Sequence, residues 1–360
     1  MSPETAAPPS ASPDVSPSSG GPVRAVFAAV SRWESALVLL LIATMLYGAH
    51  VSPAFMHPIN FFYTGVNVGE IAIMALPLAF IIITGEIDLS IAATLGLSGA
   101  LCGVLFEHGW SIWPAMAAAL ALGVVTGLFN GFLVTKLGLP SLAVTIGTLA
   151  LYRGIAQIIL PNGTLKEFPP SLTKIGIEPI PHTQIPYSIG FFVVLAVSFG
   201  VVLHATPLGR SIYAIGSNQE AAFFSGIRVK RIKLMLFVVS GFLSAFAGVL
   251  LTLRYASARY DAGTGLELNV VTVVLLGGVS IFGGRGTIFG VVLAVCVLGG
   301  LQDAMTLANI SGQEQNIVVG GLLLASVIIP NTPDMIRRAR ERLQGSGARR
   351  ALRADAGSSG

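Results

Sequence analysis

Three ionisable residues, Glu70, Arg153 and Asp303, interrupt long apolar stretches of this sequence. An ionisable side chain within a membrane segment is costly, so such residues usually line a cavity or pair with one another. Glu70 follows Asn67 by about one helical turn, and a carboxylate beside an amide can bind the hydroxyl groups of a ligand. Asn67, Glu70 and Arg153 are therefore our candidates for a substrate pathway. The alternative is that Arg153 pairs with one of the carboxylates for structural reasons.

A second polar set, Glu86, Asp88 and Ser90, separates two apolar segments. Acidic side chains at a membrane are tolerated where they face water, a partner or the N-terminus of a helix. The order Asp88, Leu89, Ser90 is typical of a helix start at which the aspartate carboxylate accepts free backbone N–H groups. Two roles stay open for this set: a cap of the following helix, and a hinge or partner contact that moves during gating.

The polar segment 217–227 predicts a short helix between two apolar segments. Asn218 is a favoured N-cap residue, Glu220 suits the positive end of the helix dipole, and Gly226 can end the helix. A face of small side chains lets another protein approach closely, and we predict that this helix docks in a groove of a partner. A plain connection between two helices is the alternative. The small residues of the predicted face are Ala221, Ala222 and Ser225.

The sequence contains no set of residues that predicts covalent chemistry. It has no G-x-x-x-x-G-K-[ST] phosphate-binding loop, and the Gly-rich stretch Gly283, Gly284, Arg285 lacks the Lys and the hydroxyl that such a loop needs. That stretch instead predicts a tight turn between helices with its Arg on the cytoplasmic side. No Ser-His-Asp set and no His/Cys metal cluster is evident. We therefore predict no catalytic residue, no metal site and no cofactor on this chain.

The composition indicates the class of protein that must position these residues. Hydrophobic residues make up 53% of the 360 residues and charged residues only 11%, and the mean hydropathy is +0.79. Soluble domains carry roughly 25% charged residues, so this surface must face something other than water. The sequence predicts an all-α, polytopic membrane protein in contact with lipid, and the placement of its Lys and Arg argues against nucleic-acid binding despite the net charge of +4.

About ten segments are long and apolar enough to be membrane spans, at roughly 20 residues per crossing. The third, eighth and tenth are short or interrupted by Gly. We divide the chain into a disordered tail over residues 1–30, a transmembrane domain over 31–342 and a second disordered tail over 343–360. The predicted spans are residues 35–51, 64–84, 90–106, 112–135, 142–160, 187–204, 234–253, 268–282, 287–305 and 315–329.

The distribution of Lys and Arg predicts the orientation, because these residues concentrate in cytoplasmic loops. If both tails are cytoplasmic, sixteen of the 21 Lys and Arg residues lie inside and Arg153 lies within a span. The longest inner loop is then 206–233, and the longest outer loop is 161–186. The four basic residues left outside are Lys166, Lys174, Arg254 and Arg259.

Several polar residues then cluster near the outer end of the last two spans. They could contact a binding protein or cap helix ends, and both alternatives stay open. They are Gln302, Asp303, Asn309 and Gln315.

Three separated motifs resemble one known family. Residues 84–90 resemble its G-x-I-D-L-S signature, with Glu86 at a place often filled by Gly, and residues 276–286 resemble a third conserved stretch. The chain resembles sugar-importing ABC permeases of the ribose, xylose, arabinose and rhamnose type over residues 35–332. The loop pattern G-x-N-x-x-A-A-x-x-S-G-I is met by Gly216, Asn218, Ala221, Ala222, Ser225, Gly226 and Ile227.

The resemblance implies a membrane-spanning subunit of an ATP-driven importer in the bacterial plasma membrane. Its expected partners are a second permease chain, an ATP-binding subunit that carries ATP and Mg²⁺, and an extracytoplasmic sugar-binding protein. The segment Gly216 to Gly226, including Ser217 and Glu220, is then the helix that couples to the ATPase. For the two other motifs the resemblance leaves a gating or structural role. Their residues are Glu86, Asp88, Ser90, Gly283, Gly284 and Arg285.

The transported ligand stays open at this stage. A rhamnose- or ribose-type sugar is our first interpretation, and the signalling molecule autoinducer 2 is the alternative within the family. An ion-coupled secondary transporter is the alternative outside it, because such proteins use intramembrane carboxylates and Glu70 is a candidate. That interpretation leaves the polar loop 206–233 without a role.

The charge asymmetry predicts the outcome of a labelling experiment. A Cys introduced at Ser171 should react with an impermeant thiol reagent applied to intact cells, because the loop 161–186 is predicted to lie outside. A Cys introduced at Ser217 should not react. Labelling of position 217 from outside in an assembled complex would contradict the predicted orientation.

Overall fold

The computed structural model of the chain describes residues 22–161, 164–166, 168–329 and 332. Within these residues the protein consists of thirteen α-helices, one short 3₁₀ helix (Pro53–Met56) and a ribbon of two three-residue strands. The strands β1 (Thr164–Lys166) and β2 (Ser257–Arg259) pair antiparallel. The helices are α1 Pro22–Val51, α2 Pro58–Ile83, α3 Ile91–Glu107, α4 Ile112–Thr135, α5 Ser141–Ile159, α6 Pro170–Ile177, α7 Tyr187–Ala205, α8 Pro207–Ser217, α9 Gln219–Phe224, α10 Val229–Tyr255, α11 Leu266–Leu276, α12 Ile288–Leu307 and α13 Gly312–Ile329.

The helices confirm an all-α, polytopic membrane protein. Eight of them in the described part of the chain are long and apolar enough to cross a membrane, and α3 and α11 are shorter apolar helices. Each of the ten predicted spans therefore contains a helix. The eighth prediction, 268–282, was wrong at its C-terminal end, because α11 stops at Leu276 where Gly277 and Gly278 follow, the latter at φ +82°. At about 1.5 Å per residue, its 11 residues cover about half of the hydrocarbon thickness.

The first helix starts earlier than the tail boundary predicted at residue 30. α1 begins at Pro22, a position that suits proline because its fixed φ matches the first helical residue and its missing N–H is not needed there. Residues 22–30 are therefore helical and not part of a disordered tail. Residues 1–21 and the predicted tail 343–360 lie outside the described residues.

The helix α2 forms the centre of the bundle. Its residues from Val68 to Ile83 are all buried, and it packs against α7, α10, α11 and α12. A helix that is apolar on every side is stable where other helices surround it. Pro77, inside α2, removes one intrahelical hydrogen bond midway along this helix.

The helices α4 and α10 approach each other most closely along a row of small residues. A Cβ atom on Gly127 would collide with the carbonyl oxygen of Phe237, and one on Gly241 with the carbonyl oxygen of Gly123. Helices in lipid gain contact energy when small residues let their backbones approach. The pairing of α4 with α10 therefore depends on the absence of side chains at these positions.

Replacing Gly241 with Leu should destabilise the bundle, because the new side chain meets the backbone of α4. Overpacking of this kind costs about 1–3 kcal/mol. We expect a loss of the monodisperse peak when the detergent-solubilised protein is run on size-exclusion chromatography. Gly200→Leu is the matched control, since a Cβ there meets no atom within 4 Å, and equal behaviour of the two variants would contradict the packing argument.

Candidate functional site

The predicted helix in the polar loop is present as α9. The Asn218 side chain accepts a hydrogen bond from the backbone N–H of Ala221 at 3.0 Å. At the other end, Gly226 takes φ +83°, and the N–H of Ile227 donates to the carbonyl of Ala222 at 3.1 Å. The cap and the terminator are those that the sequence predicts, because both act through hydrogen bonds within a few residues.

The orientation of α9 differs from the prediction. Ala222 was assigned to the face that docks with a partner, but it is only 4% exposed and packs against Ile215 and Val229 of the same chain. Neighbouring helical positions point about 100° apart, so burying Ala222 turns the next residues outward. Phe223 and Phe224 are 64% and 84% exposed.

The exposed aromatic pair was missed in the sequence. Phe223 and Phe224 contact each other edge to face, with ring centroids 5.7 Å apart, and Ala221 and Ser225 are exposed beside them. Exposed aromatic side chains on an otherwise polar segment mark an interaction surface. Two adjacent Phe residues in a polar loop were the available signal.

Three sequence motifs meet at the C-terminal end of α2, where Ile83 presents its carbonyl oxygen. The backbone N–H of Gly284 donates to this oxygen at 2.8 Å. Gly216 packs so closely on the same carbonyl that a Cβ atom would collide with it and with the N atom of Gly284. Gly283 and Gly284 take φ +82° and +73°, and a Cβ on Gly284 would lie 2.8 Å from the Ser217 hydroxyl. We call these five residues the junction.

A tyrosine fastens the turn that carries the junction glycines. The Tyr213 hydroxyl, on α8, donates to the carbonyl of Gly286 at 2.6 Å, and the N–H of Ser280 donates to the carbonyl of Arg285 at 3.0 Å. Burial raises the pKa of Tyr213 to about 12, so the hydroxyl keeps its proton and remains a donor. The predicted tight turn is confirmed, with the Arg285 side chain exposed.

A buried ion pair links the start of α9 to the loop that follows α2. The Lys233 ammonium lies 2.5 Å from the Glu86 carboxylate and donates to the Gln219 side-chain oxygen at 2.5 Å. The two charged side chains are 6% and 18% exposed. Gln219 is the first residue of α9, and Glu86 follows α2 by three residues. Glu86, which occupies a place often filled by Gly in the motif, therefore connects the loop after α2 to the start of α9 through Lys233.

Asp88 anchors the same loop, although not as the N-cap that was predicted. The N-cap of α3 is Ser90, whose N–H and hydroxyl donate to one oxygen of Asp88 at 3.0 and 2.7 Å. The hydroxyl of Ser240 donates to the other oxygen at 3.2 Å, and Asn130 donates to the Ser90 hydroxyl at 2.8 Å. Burial raises the pKa of Asp88, and the hydrogen bonds from Ser90 and Ser240 oppose that shift. The Asp88 carboxylate accepts from the backbone N–H two residues ahead, so it forms a local turn before α3 and does not cap that helix.

Glu70 does not lie on an open pathway. It is 2% exposed, and its carboxylate pairs with Arg254 at 3.3 Å. Arg254 also donates to the carbonyl of Val66 on α2. A buried carboxylate needs a cation nearby to offset its desolvation, and the end of α10 supplies it. Arg254, predicted to lie in an outer loop, is the partner.

Arg153, on α5, donates hydrogen bonds to the loop that precedes α11. Its guanidinium donates to the carbonyls of Ala262 and Gly263 at 3.1 and 3.0 Å and lies 3.5 Å from Glu267. A Cβ on Gly263 would lie 2.9 Å from the side chain of Leu95 on α3, so this loop is inserted among the helices. Non-helical backbone at that depth needs internal donors. Arg153 pairs with a carboxylate, but the predicted partners Glu70 and Asp303 were wrong, because the carboxylate is that of Glu267.

Asn67 lies at a polar cavity near the start of α2, far from the junction. The cavity has a volume of about 210 Å³ and is bordered by α2, α12 and α13. It brings Asn67 together with three of the polar residues predicted to cluster at the outer helix ends. Among the described residues, no group of three His, Cys, Asp or Glu side chains is placed to hold a metal. The polar lining residues are Thr64, Asn67, Gln302, Asp303, Thr306 and Gln315.

The motifs of the junction and the cavity fall within a known family. The profile of the family described as branched-chain amino acid transport system / permease component matches residues 60–327. The chain belongs to this permease family. It is thus a transport subunit and not an enzyme, and with eight candidate spans it is a multi-pass protein of the bacterial plasma membrane.

Similar permeases are known from several bacteria. The chain is 34% identical over 325 residues to the L-arabinose transport system permease protein AraH of Escherichia coli, covering 90% of this chain and 98% of that protein. It is 33% identical to the autoinducer 2 import system permease protein LsrD of Klebsiella pneumoniae, covering 82% and 91%. The LsrD protein of Salmonella typhimurium is also 33% identical, with 82% and 90% covered. No solved structure matches the permease significantly.

The buried pair of Lys233 and Glu86 predicts a non-additive effect on stability. Lys233→Met leaves a mostly buried carboxylate unpaired, and breaking a buried pair costs about 3–5 kcal/mol, less here because Glu86 keeps some exposure. The melting temperature of the purified permease should fall by several degrees. The double variant Glu86→Gln, Lys233→Met should melt higher than Lys233→Met alone, because no lone charge remains.

The control for this prediction is an exposed ion pair. Lys174 and Glu178 lie 3.8 Å apart with side chains 61% and 54% exposed, and such pairs contribute about 0–1 kcal/mol. Lys174→Met should therefore melt like the unchanged protein. Equal melting temperatures for Lys174→Met and Lys233→Met would show that the buried pair does not hold the loop.

Proposed function

We propose that this permease is the membrane-spanning subunit of an ATP-binding-cassette importer that carries a monosaccharide into the cell. The observation that carries the proposal is the junction. It joins α2, whose other half borders a polar cavity, to the end of α8. The helix α9, which exposes Phe223 and Phe224 to a partner, follows α8 after one residue. The protein forms and breaks no covalent bond. Its work is to expose a weak site alternately to the two sides of the membrane.

The helix α2 is the mechanical element of this proposal. Ile83 at the junction lies sixteen residues after Asn67 at the cavity, a rise of about 24 Å at 1.5 Å per residue. The helix is packed on all sides along this length, so displacement at one end is passed to the other through buried contacts. Pro77 lies between the two ends and gives the helix a position where it bends at lower cost.

Two features of the chain, the absence of a phosphate-binding loop and the exposed surface of α9, indicate that ATP binding falls to a separate subunit. The sequence has no phosphate-binding loop, so ATP and Mg²⁺ belong to a separate ATPase subunit that docks on α9. With both tails cytoplasmic, α9 lies inside and the cavity faces outward, where an extracytoplasmic binding protein delivers the sugar. A second permease chain completes the transmembrane part. Sugar importer relatives such as AraH support ATPase and binding-protein partners in general.

The similarity to two kinds of relatives leaves two candidate ligands. A ribose- or rhamnose-type monosaccharide is our first proposal, and the relation to an L-arabinose permease supports a sugar. Import of autoinducer 2 is the second, favoured by 33% identity to LsrD. Both ligands present several hydroxyl groups, so the polar cavity is compatible with either.

The exposed aromatic pair predicts the strength of ATPase docking. Phe224→Ala should weaken co-purification of the ATPase subunit, because removing an aromatic anchor from an interface costs about 2 kcal/mol, or roughly 30-fold in Kd. Insertion of the permease should be unchanged, since Phe224 is 84% exposed and packs on little of its own chain. The measurement is the ATPase-to-permease ratio after affinity purification.

Phe129→Ala is the matched control, because Phe129 is 43% exposed on α4 within an apolar span. It should leave the ATPase-to-permease ratio unchanged. If Phe224→Ala also leaves that ratio unchanged, α9 does not dock through its aromatic pair. If the purified wild-type permease never retains an ATPase, the proposed function itself is wrong.

A further inference from the structure

Asp303 is a carboxylate without a cationic partner among the described residues. It lies half-buried on α12, four residues before the end of that helix, and accepts one hydrogen bond, from the Asn60 side chain. Glu70, Glu86 and Glu267 are each paired with a Lys or Arg, and the buried Asp88 accepts hydrogen bonds from Ser90 and Ser240 instead. An acidic residue in a transmembrane helix usually faces a cavity when it is not paired. Asp303 borders the polar cavity.

The amides around Asp303 also have unused hydrogen-bonding capacity. The Asn67 side chain makes no hydrogen bond within the described part of the chain and is exposed at the cavity. Gln315 donates to the Thr306 hydroxyl and the Ile310 carbonyl, both at 3.1 Å, which leaves its side-chain oxygen as an acceptor. The cavity therefore presents three groups with unused hydrogen-bonding capacity. They are the carboxylate of Asp303, the side-chain oxygen of Gln315 and the whole side-chain amide of Asn67.

This combination suits a neutral ligand that is rich in hydroxyl groups. Each hydroxyl both donates and accepts, so it can donate to Asp303 while it accepts from an amide such as Asn67. Ca²⁺ takes six to eight oxygen ligands from protein carboxylates, carbonyls and water, and this cavity has one carboxylate. Its volume of about 210 Å³ is below the roughly 300–1,000 Å³ of sites for drug-sized ligands, which limits the ligand to a small molecule.

The cavity lies at the end of the bundle opposite to the junction. The Asn60 to Asp303 hydrogen bond joins the start of α2 to the end of α12, and the junction lies at the end of α2. A ligand in the cavity thus contacts α2, and the junction lies at the opposite end of the same helix.

We propose that this cavity is a low-affinity subsite for a small neutral polyol on the outer part of the translocation path. Asp303 accepts hydrogen bonds from ligand hydroxyls, Asn67 donates to and accepts from them, and Asn60 is a positioning residue that orients Asp303. The proposal rests on the proposed function, because it names the place where the imported ligand leaves the binding protein.

A thiol-protection experiment tests the subsite in the assembled transporter. Thr306→Cys, exposed at the cavity, serves as the reporter after Cys102→Ala and Cys296→Ala remove the native thiols. An impermeant thiol reagent is applied from outside, alone or with D-ribose, L-rhamnose, L-arabinose or sodium chloride. We expect labelling from outside that at least one sugar slows, about threefold when the sugar is at twice its Kd. Sodium chloride should have no effect.

Two near-isosteric variants then locate the binding groups. In the reporter background, Asp303→Asn and Asn67→Leu should each abolish protection by the sugar, measured for each variant as the ratio of its labelling rates with and without sugar, because the charge change at 303 also alters the reactivity of the thiol. Glu107→Gln is the control, because Glu107 is an exposed acidic residue at the end of α3, and it should keep full protection. Retained ATPase co-purification identifies the variants that are folded and assembled.

Several outcomes would overturn the subsite. They are the absence of labelling from outside, protection by sodium chloride and not by any sugar, and full protection in both the Asp303→Asn and Asn67→Leu variants. Protection by sodium chloride would identify a cation site. In each case an intact complex with the ATPase leaves the proposed function standing, so the two proposals fail separately.

Discussion

The carbonyl oxygen of Ile83 is the point on which the junction end of this permease depends. The last carbonyls of a helix have no intrahelical donor, and here the donor comes from Gly284, about 200 residues further along the chain. Gly216 covers the same oxygen at a distance that no side chain allows. Because one backbone group binds one segment and contacts another, α2, α8 and the turn before α12 are held in a single arrangement.

Charge pairing explains why so few ionisable residues suffice to organise the interior. Lys233, near the start of α10, pairs with Glu86 just after α2, and Arg254, near the end of α10, pairs with Glu70 at the middle of α2. Arg153 supplies donors to an inserted loop. In an apolar environment these groups cannot be left unpaired without a large desolvation cost. Glu70 and Arg153, which look like pathway residues in the sequence, are therefore paired inside the bundle, whereas Asn67 and Asp303 border the polar cavity.

This distribution gives the two ends of α2 different tasks. The junction end is closed by backbone contacts and by buried charges, which makes it a rigid attachment for α9. The opposite end borders a polar cavity whose amide and carboxylate groups are partly unused. In the proposed function α2 connects the docking helix to the polar site, and alternating access requires that binding at one end favours one position of the other.

The sequence by itself determined the local features of this protein. Hydropathy located the ten apolar helices, and Asn218 and Gly226 marked the start and end of α9, because caps and terminators act through hydrogen bonds a few residues apart. Only the tertiary structure decided which partners meet. Glu70 pairs with Arg254, 184 positions away, Ala222 turns inward, and α11 stops at Leu276. These outcomes depend on how helices pack against one another, and the local pattern of residues does not contain that information.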